Sequence, residues 1–184
     1  MRILAVSAVL ALAPLAAPGA AHAQTPPAAP PQSPAAAPQD VTSLDAIVGA
    51  LYDVISGPAG PRNWDRFHSL FQPGAVMGSA GRAPDGAFRA RLTTPDVYAT
   101  RNGEYFMTHP FFEREIGRRV SRFGPVVQVM SAYETREAPD AQPTQRGVNS
   151  ITLFDDGQRL WITSITWSAE TPDTPIPADW ITPR

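Results

Sequence analysis

Asn63-Trp64-Asp65-Arg66-Phe67-His68-Ser69-Leu70-Phe71-Gln72-Pro73-Gly74-Ala75 is the stretch from which the fold is read. Asn63 is a helix-capping residue type. Trp64, Phe67 and Leu70 or Phe71 recur at three- and four-residue steps, so one face of a short helix is apolar. Gln72-Pro73-Gly74 breaks that pattern, because proline offers no N–H and glycine gains nothing from the helix. Ala75 to Ser79 and Ala87 to Leu92 then read as short strands separated by a Gly/Pro/Asp turn region.

Upstream, Leu44, Ile47, Val48, Leu51, Val54 and Ile55 form one helical stripe, capped by Thr42 or Ser43 and stopped at Gly57-Pro58. Downstream, Thr94-Pro95-Asp96 starts a helix: a cap, a proline at the first helical position, and an acid against the positive end of the dipole. That helix is expected to reach about Thr108, with Tyr98, Asn102, Tyr105 and His109 along one face and His109 at its exit, before Pro110. From Glu113 the period changes to two. Four strands are expected: Glu113 to Arg122, Val126 to Glu137, Gly147 to Phe154, and Arg159 to Ala169. Asp155-Asp156-Gly157 is a hairpin signal for the last pair. Beyond Glu170 the chain is proline-rich and contains Trp180.

The N-terminus reads as an export signal. Arg2 precedes an apolar run from Ile3 to Leu15, and Ala21-His22-Ala23 supplies the small-x-small cleavage pattern, so the mature chain is expected to begin at Gln24 in the periplasm or outside the cell. The run is too short for a comfortable transmembrane helix, so no stable membrane insertion is expected after cleavage. Residues 24–39 are Pro, Ala, Gln, Ser and Thr without apolar periodicity, and read as a disordered linker ahead of one domain at 40–184.

Composition removes several chemistries. There is no Cys and no Lys, which excludes a disulfide framework, thiolate chemistry, a P-loop lysine and Schiff bases. His22 departs with the signal, leaving His68 and His109, too few for a three-histidine metal centre. No metal and no cofactor are expected. The formal net charge is -2 with arginines and acids interspersed, which argues against nucleic acid as a partner.

Helix, short helix, two strands, helix, then a meander is an α+β order. The Asn63–Ala75 stretch resembles the second-helix signature of the NTF2-like superfamily (SnoaL-like and ketosteroid isomerase-like proteins). Arg146-Gly147-Val148-Asn149-Ser150-Ile151 and Trp161-Ile162-Thr163-Ser164-Ile165-Thr166-Trp167 are similar to that superfamily's last two strands. The resemblance implies a cone: a curved antiparallel sheet wrapped around about three helices, with a pocket at one end. Ketosteroid isomerase, scytalone dehydratase, polyketide cyclases and non-catalytic association modules share it, so fold does not give function. In the isomerase, the general base is an Asp a few residues after this signature. Laid without gaps, that position falls at about Ser79, which cannot act as an unassisted base. Tyr52 lies near the isomerase's oxyanion tyrosine, and Asp85 replaces the lost acid only if its turn folds inward.

The candidate catalytic residues are His109 and Glu113, with Glu104 as a second possible partner of the histidine; His68 reads as a core or boundary residue. Histidine earns attention because it titrates near neutrality. Tyr52, Trp64, Phe67, Tyr98, Tyr105, Tyr133, Asn149 and Trp167 are the candidate pocket lining, and Arg146 and Ser164 are further polar groups. Two functions stay open: binding of a small apolar molecule in the cone, or lyase, isomerase or cyclase chemistry by acid–base groups at its mouth. Apolar residues on both faces of the last strands mean that the outer sheet face is covered, by a homodimer through the sheet or by the tail around Trp180.

Overall fold

A computed structural model describes residues 32–181. The expected signal peptide (1–23) and the first half of the expected linker, residues 24–31, lie outside the described residues. The end of that linker is packed: Ser33 Oγ donates to the Phe71 carbonyl at 2.7 Å, and Ala36 lies against the core.

The elements follow in the order α1 (Pro38–Val41), α2 (Leu44–Ile55), α3 (Trp64–Ser69), β1 (Phe71–Arg82), β2 (Phe88–Thr93), α4 (Pro95–Thr108), β3 (Phe112–Phe123), β4 (Val126–Arg136), β5 (Gln145–Asp155), β6 (Leu160–Ala169) and a closing 3-10 turn (Ala178–Trp180). The caps form as the residue types dictate. Ser43 accepts from the Ala46 N–H, Asn63 from Arg66 and Thr94 from Val97. At the last hairpin, Gly157 takes a φ of 86° and Asp155 Oδ1 accepts its N–H at 2.9 Å.

The six strands form one open, curved sheet in the order β2-β1-β6-β5-β4-β3. It is not wholly antiparallel, as the sequence reading had it: β1 pairs with β6 in parallel. A parallel pair needs a long connection, and here everything from β2 to β5 lies between the two strands. Gln72-Pro73-Gly74 does not separate helix from strand either. It sits inside β1 as an irregularity, where the register to β6 shifts between Phe71 and Val76. A proline and a glycine in a strand are tolerated at such a bulge.

The helices fill the concave side. Ile47, Val48, Leu51, Val54 and Ile55 of α2 and Phe67 and Leu70 around α3 meet Val127, Val129, Ile151, Leu153, Ile162 and Ile165 of the sheet. Arg66 ties the N-terminal helices together. Its guanidinium donates twice to buried Asp40, at 2.8 and 3.0 Å, and once to Asp53. That bonding holds the Asp40 carboxyl below its usual range against the opposing effect of burial.

The tail runs over the outer face. Glu170 pairs with Arg146 at 3.4 Å, Ile176 is buried outside the main core cluster, and Asp179 pairs with Arg119 of β3 at 2.9 Å. Its prolines cannot donate to the sheet, so it crosses as a strap and adds no strand.

Candidate functional site

A cavity of about 200 Å³ opens at the wide end of the cone. Its walls are mostly apolar: Leu51 and Ile55 from α2, Phe67 from α3, Met77 from β1, Phe111, and Ile165 from β6. One carboxyl faces it, that of Glu113 on β3. Strand alternation turns Glu113 and Glu115 to the same inner side. Ser56, just past the end of α2, fixes the first of them. Its hydroxyl accepts from the Glu113 N–H at 2.9 Å and donates to the Tyr52 carbonyl at 2.7 Å.

The two glutamates have opposite surroundings. Glu115 is bonded by Arg118 at 2.8 Å, and Arg118 reaches Asp45 at 3.0 Å. Glu113 has no such cation among the described residues: no Arg or His of theirs lines the cavity, and its one side-chain donor among them is Asn149 Nδ2, at a long 3.4 Å. Burial therefore pushes the Glu113 carboxyl up to about 7 from an ordinary 4.5, and the Asn149 bond only partly opposes this. A carboxyl with that value exchanges its proton near neutral pH.

Behind the wall, a chain of hydrogen bonds joins the two. Asn149 Nδ2 also donates to Tyr52 Oη at 3.1 Å; Tyr52 and Ser131 share a bond of 2.7 Å; Ser131 Oγ donates to Glu115 Oε1 at 2.7 Å. Because the Ser131 hydrogen is committed to the carboxylate, Tyr52 must donate to Ser131. The Tyr52 and Ser131 hydroxyls thus donate away from Glu113, and the array holds Asn149 in place without supplying charge to the cavity.

Asn102, Thr135 and Gln145 add polar lining, and so do two phenols. Tyr98 and Tyr133 face the cavity, and neither hydroxyl makes a hydrogen bond among the described residues. Burial, and then the nearby Glu113 charge, raise both above the usual tyrosine range, so both stay protonated donors. Tyr133 owes its position to Gly147 on the neighbouring strand. A Cβ there would lie 2.5 Å from the Tyr133 hydroxyl oxygen and 2.5 Å from the Ser168 carbonyl oxygen. Gly147→Ala is expected to displace the phenol and cost about 1–3 kcal/mol by overpacking. A urea midpoint equal to that of the parent protein would show that the contact is not tight.

Of the residues singled out in the sequence, Glu113, Phe67, Tyr98, Asn102, Tyr133, Asn149 and Trp167 come together around this cavity. Tyr52 stands behind it and acts through Asn149. Trp64 lies on the outer side of α3 and α4, stacked on Phe106 with ring centroids 6.2 Å apart. His109 and Tyr105 are outside the site, contrary to the single-face reading of α4. Residues 107–110 are all exposed, and the two rings stack on each other at 4.3 Å. The buried stripe of α4 instead runs through Pro95, Ala99 and Phe106. His68 approaches Asp96 at 3.2 Å across the outer groove between α3 and α4. Asp85 does not fold inward: it is exposed in the β1–β2 turn and pairs with Arg89 at 2.7 Å. Glu104 is exposed, Arg146 is engaged by Glu170, and Ser164 does not line the cavity.

Sequence reasoning missed Gln145, Thr135 and the Ser131–Glu115 pair. One signal for the last was present. Ser131 interrupts the inward row Val127, Val129, Tyr133, and a hydroxyl in a buried row requires a partner.

Among solved structures, a protein of unknown function with a cystatin-like fold from Nostoc punctiforme matches at TM-score 0.52 and 6% identity, over 72% of this chain and 96% of that one. The beta subunit of benzoate 1,2-dioxygenase from Burkholderia mallei matches at 0.49 and 14% identity, over 76% and 98%. An NTF2-like protein of unknown function from Methylobacillus flagellatus matches at 0.43 and 13%, over 71% and 96%. At such identities the likeness is one of fold alone. No family model and no curated protein matches the chain.

Proposed function

We propose that this NTF2-like cone binds a small, largely apolar molecule with one polar group, and that Glu113 moves a proton to or from it. The observation that carries the reading is a buried carboxyl, open to a cavity, without a cation and with a pKa of about 7. Above that pH it is a desolvated base, and below it an acid; perturbed groups of this kind concentrate at functional sites. The unpartnered hydroxyls of Tyr98 and Tyr133 supply donors where negative charge would develop on a substrate oxygen.

The chemistry that fits is proton abstraction next to a carbonyl. The C–H proton passes to Glu113, the bonding pair moves into the carbon framework, and the carbonyl oxygen becomes an enolate oxygen held by a phenol. Return of the proton at another carbon is an isomerisation; loss of a leaving group instead is an elimination. The test is exchange of the α-protons of cyclohex-2-enone in D₂O, followed by proton NMR. The parent protein is expected to catalyse it with a rate rising through pH 7, and Glu113→Gln to lose about 10²–10⁴-fold. Binding without exchange, identical in both proteins, would leave a binding module and remove the catalytic step.

Export and self-association remain proposals of the same kind. The first rests on the Ala21-His22-Ala23 pattern, the second on the half-exposed Val148, Phe154 and Trp161 of the outer sheet face. Sedimentation of the secreted chain, with its first residue determined, tests both. A start at Gln24 and twice the chain mass are expected; a monomer at micromolar concentration would end the homodimer proposal.

A further inference from the structure

A second cavity, of about 470 Å³, lies against the first, between the β1–β2 hairpin and the turn at Thr171–Thr174. Tyr133, Gln145 and Trp167 line both. These three side chains are therefore the collar where an inner chamber meets an outer one. Trp167 is braced from inside by Tyr98, edge to face at 6.1 Å. The Gln145 amide makes no side-chain hydrogen bond among the described residues.

The two chambers differ in chemistry. The inner one is apolar around a single carboxyl. The outer one is lined by Ser79 and Thr174, whose hydroxyls have no side-chain partner among the described residues. Among the described residues it also carries one cation, Arg82, and one anion, Asp173, so their formal charges cancel. Phe88 stands at its rim, exposed, with the Arg82 guanidinium 4.6 Å over the ring. Unpaired hydroxyls, balanced charge and an exposed aromatic face suit a neutral, hydroxylated group rather than a fatty chain or a strong acid.

We infer that the ligand has two parts: a compact ring that enters the inner chamber to meet Glu113, and a neutral hydroxyl-bearing extension that passes the Trp167 collar into the outer chamber. This inference rests on the reading of the inner cavity as a ligand site and adds the substrate class. The outer hydroxyls and the Gln145 amide then favour ring compounds whose extension bears a hydroxyl, because such a group gains a hydrogen bond there that a plain alkyl chain does not.

Two probes separate the parts: 4-propylphenol, and the same ring carrying a diol, 3-(4-hydroxyphenyl)propane-1,2-diol. Their affinities are measured by calorimetry on the mature chain. The diol is expected to bind about tenfold more tightly, from one or two added hydrogen bonds of ordinary net strength. The double variant Ser79→Ala/Thr174→Val is expected to erase that advantage and leave 4-propylphenol within twofold. Ser79→Ala alone, at a half-buried position of β1, is a second variant in case the double one folds poorly, and is expected to reduce the advantage. Glu113→Gln is expected to weaken both probes alike. Equal binding of the two probes by the parent protein, or a diol advantage that survives in all variants, overturns the two-part ligand alone. Failure of both probes to bind overturns it together with the inner-site reading.

Discussion

Glu113→Gln is expected to stabilise the protein by about 3 kcal/mol above pH 7 while it removes proton transfer. The free carboxyl has an ordinary pKa of 4.5, and in the folded chain it is pushed up to about 7. Between those values the folded chain holds a proton that the unfolded chain has released, so stability falls as pH rises. The contribution of the protonated carboxyl is complete below 4.5 and is lost by the time pH has passed about 7. The difference between the two values corresponds to about 3 kcal/mol. Gln offers an amide of the same shape that never ionises, and it escapes this loss. For a domain of this size the gap is roughly 6–12 °C in Tm. Melting both proteins from pH 4 to 8.5 checks it, since every other titrating group is common to the pair. The curves are expected to meet at the acid end and to diverge with the variant on top. Parallel curves would mean that the carboxyl is solvated and that the site has no activated base. Activity and stability should thus move in opposite directions at one residue.

Phe67→Ala carries the second large effect, about 3–5 kcal/mol of stability. Phe67 is fully buried, and its ring meets Trp64 at 5.4 Å, Phe71 at 4.8 Å and Tyr98 at 5.5 Å. These contacts join α3, β1 and α4 at the floor of the cavity, so truncation leaves a void that three elements would have to close together. Against a typical net stability of about 5–15 kcal/mol, the loss is a large share. It should appear as a lower urea midpoint with an unchanged slope. The cavity also grows on the side of Tyr98, which loses the ring stacked beneath it. Phe67→Leu keeps most of the volume and should cost well under half as much. A loss below about 1 kcal/mol for the alanine variant would show that the cluster is not close-packed.

The parts of the fold legible in the chain are those set by neighbours in sequence. Asn63 caps α3, Thr94-Pro95 starts α4 and Ser43 starts α2, because a cap needs only the next three residues. Alternation in β4 and β5 marks their inner faces for the same reason: two residues apart is the same side. Gln72-Pro73-Gly74 misled because proline and glycine are breakers in a helix but are also accepted at a bulge, and the choice lay with β6, far along the chain.

The site divides along the same line. Glu113 was visible as a candidate because it opens a strand next to the end of a helix, but the company proposed for it was wrong in space. His109, four residues away, leaves the cone because the end of α4 is exposed. Asn149 and Tyr52, separated by 97 residues, arrive beside the carboxyl when β5 closes over α2. Glu115, with the same side chain on the same face, received Arg118, and Glu113 received none. Local sequence sets which way a side chain points, since that follows from backbone period. Whether a charge finds a counter-charge or a dry wall depends on strands and helices distant in the chain, and their assembly made one of two glutamates a salt-bridge partner and the other a titrating group.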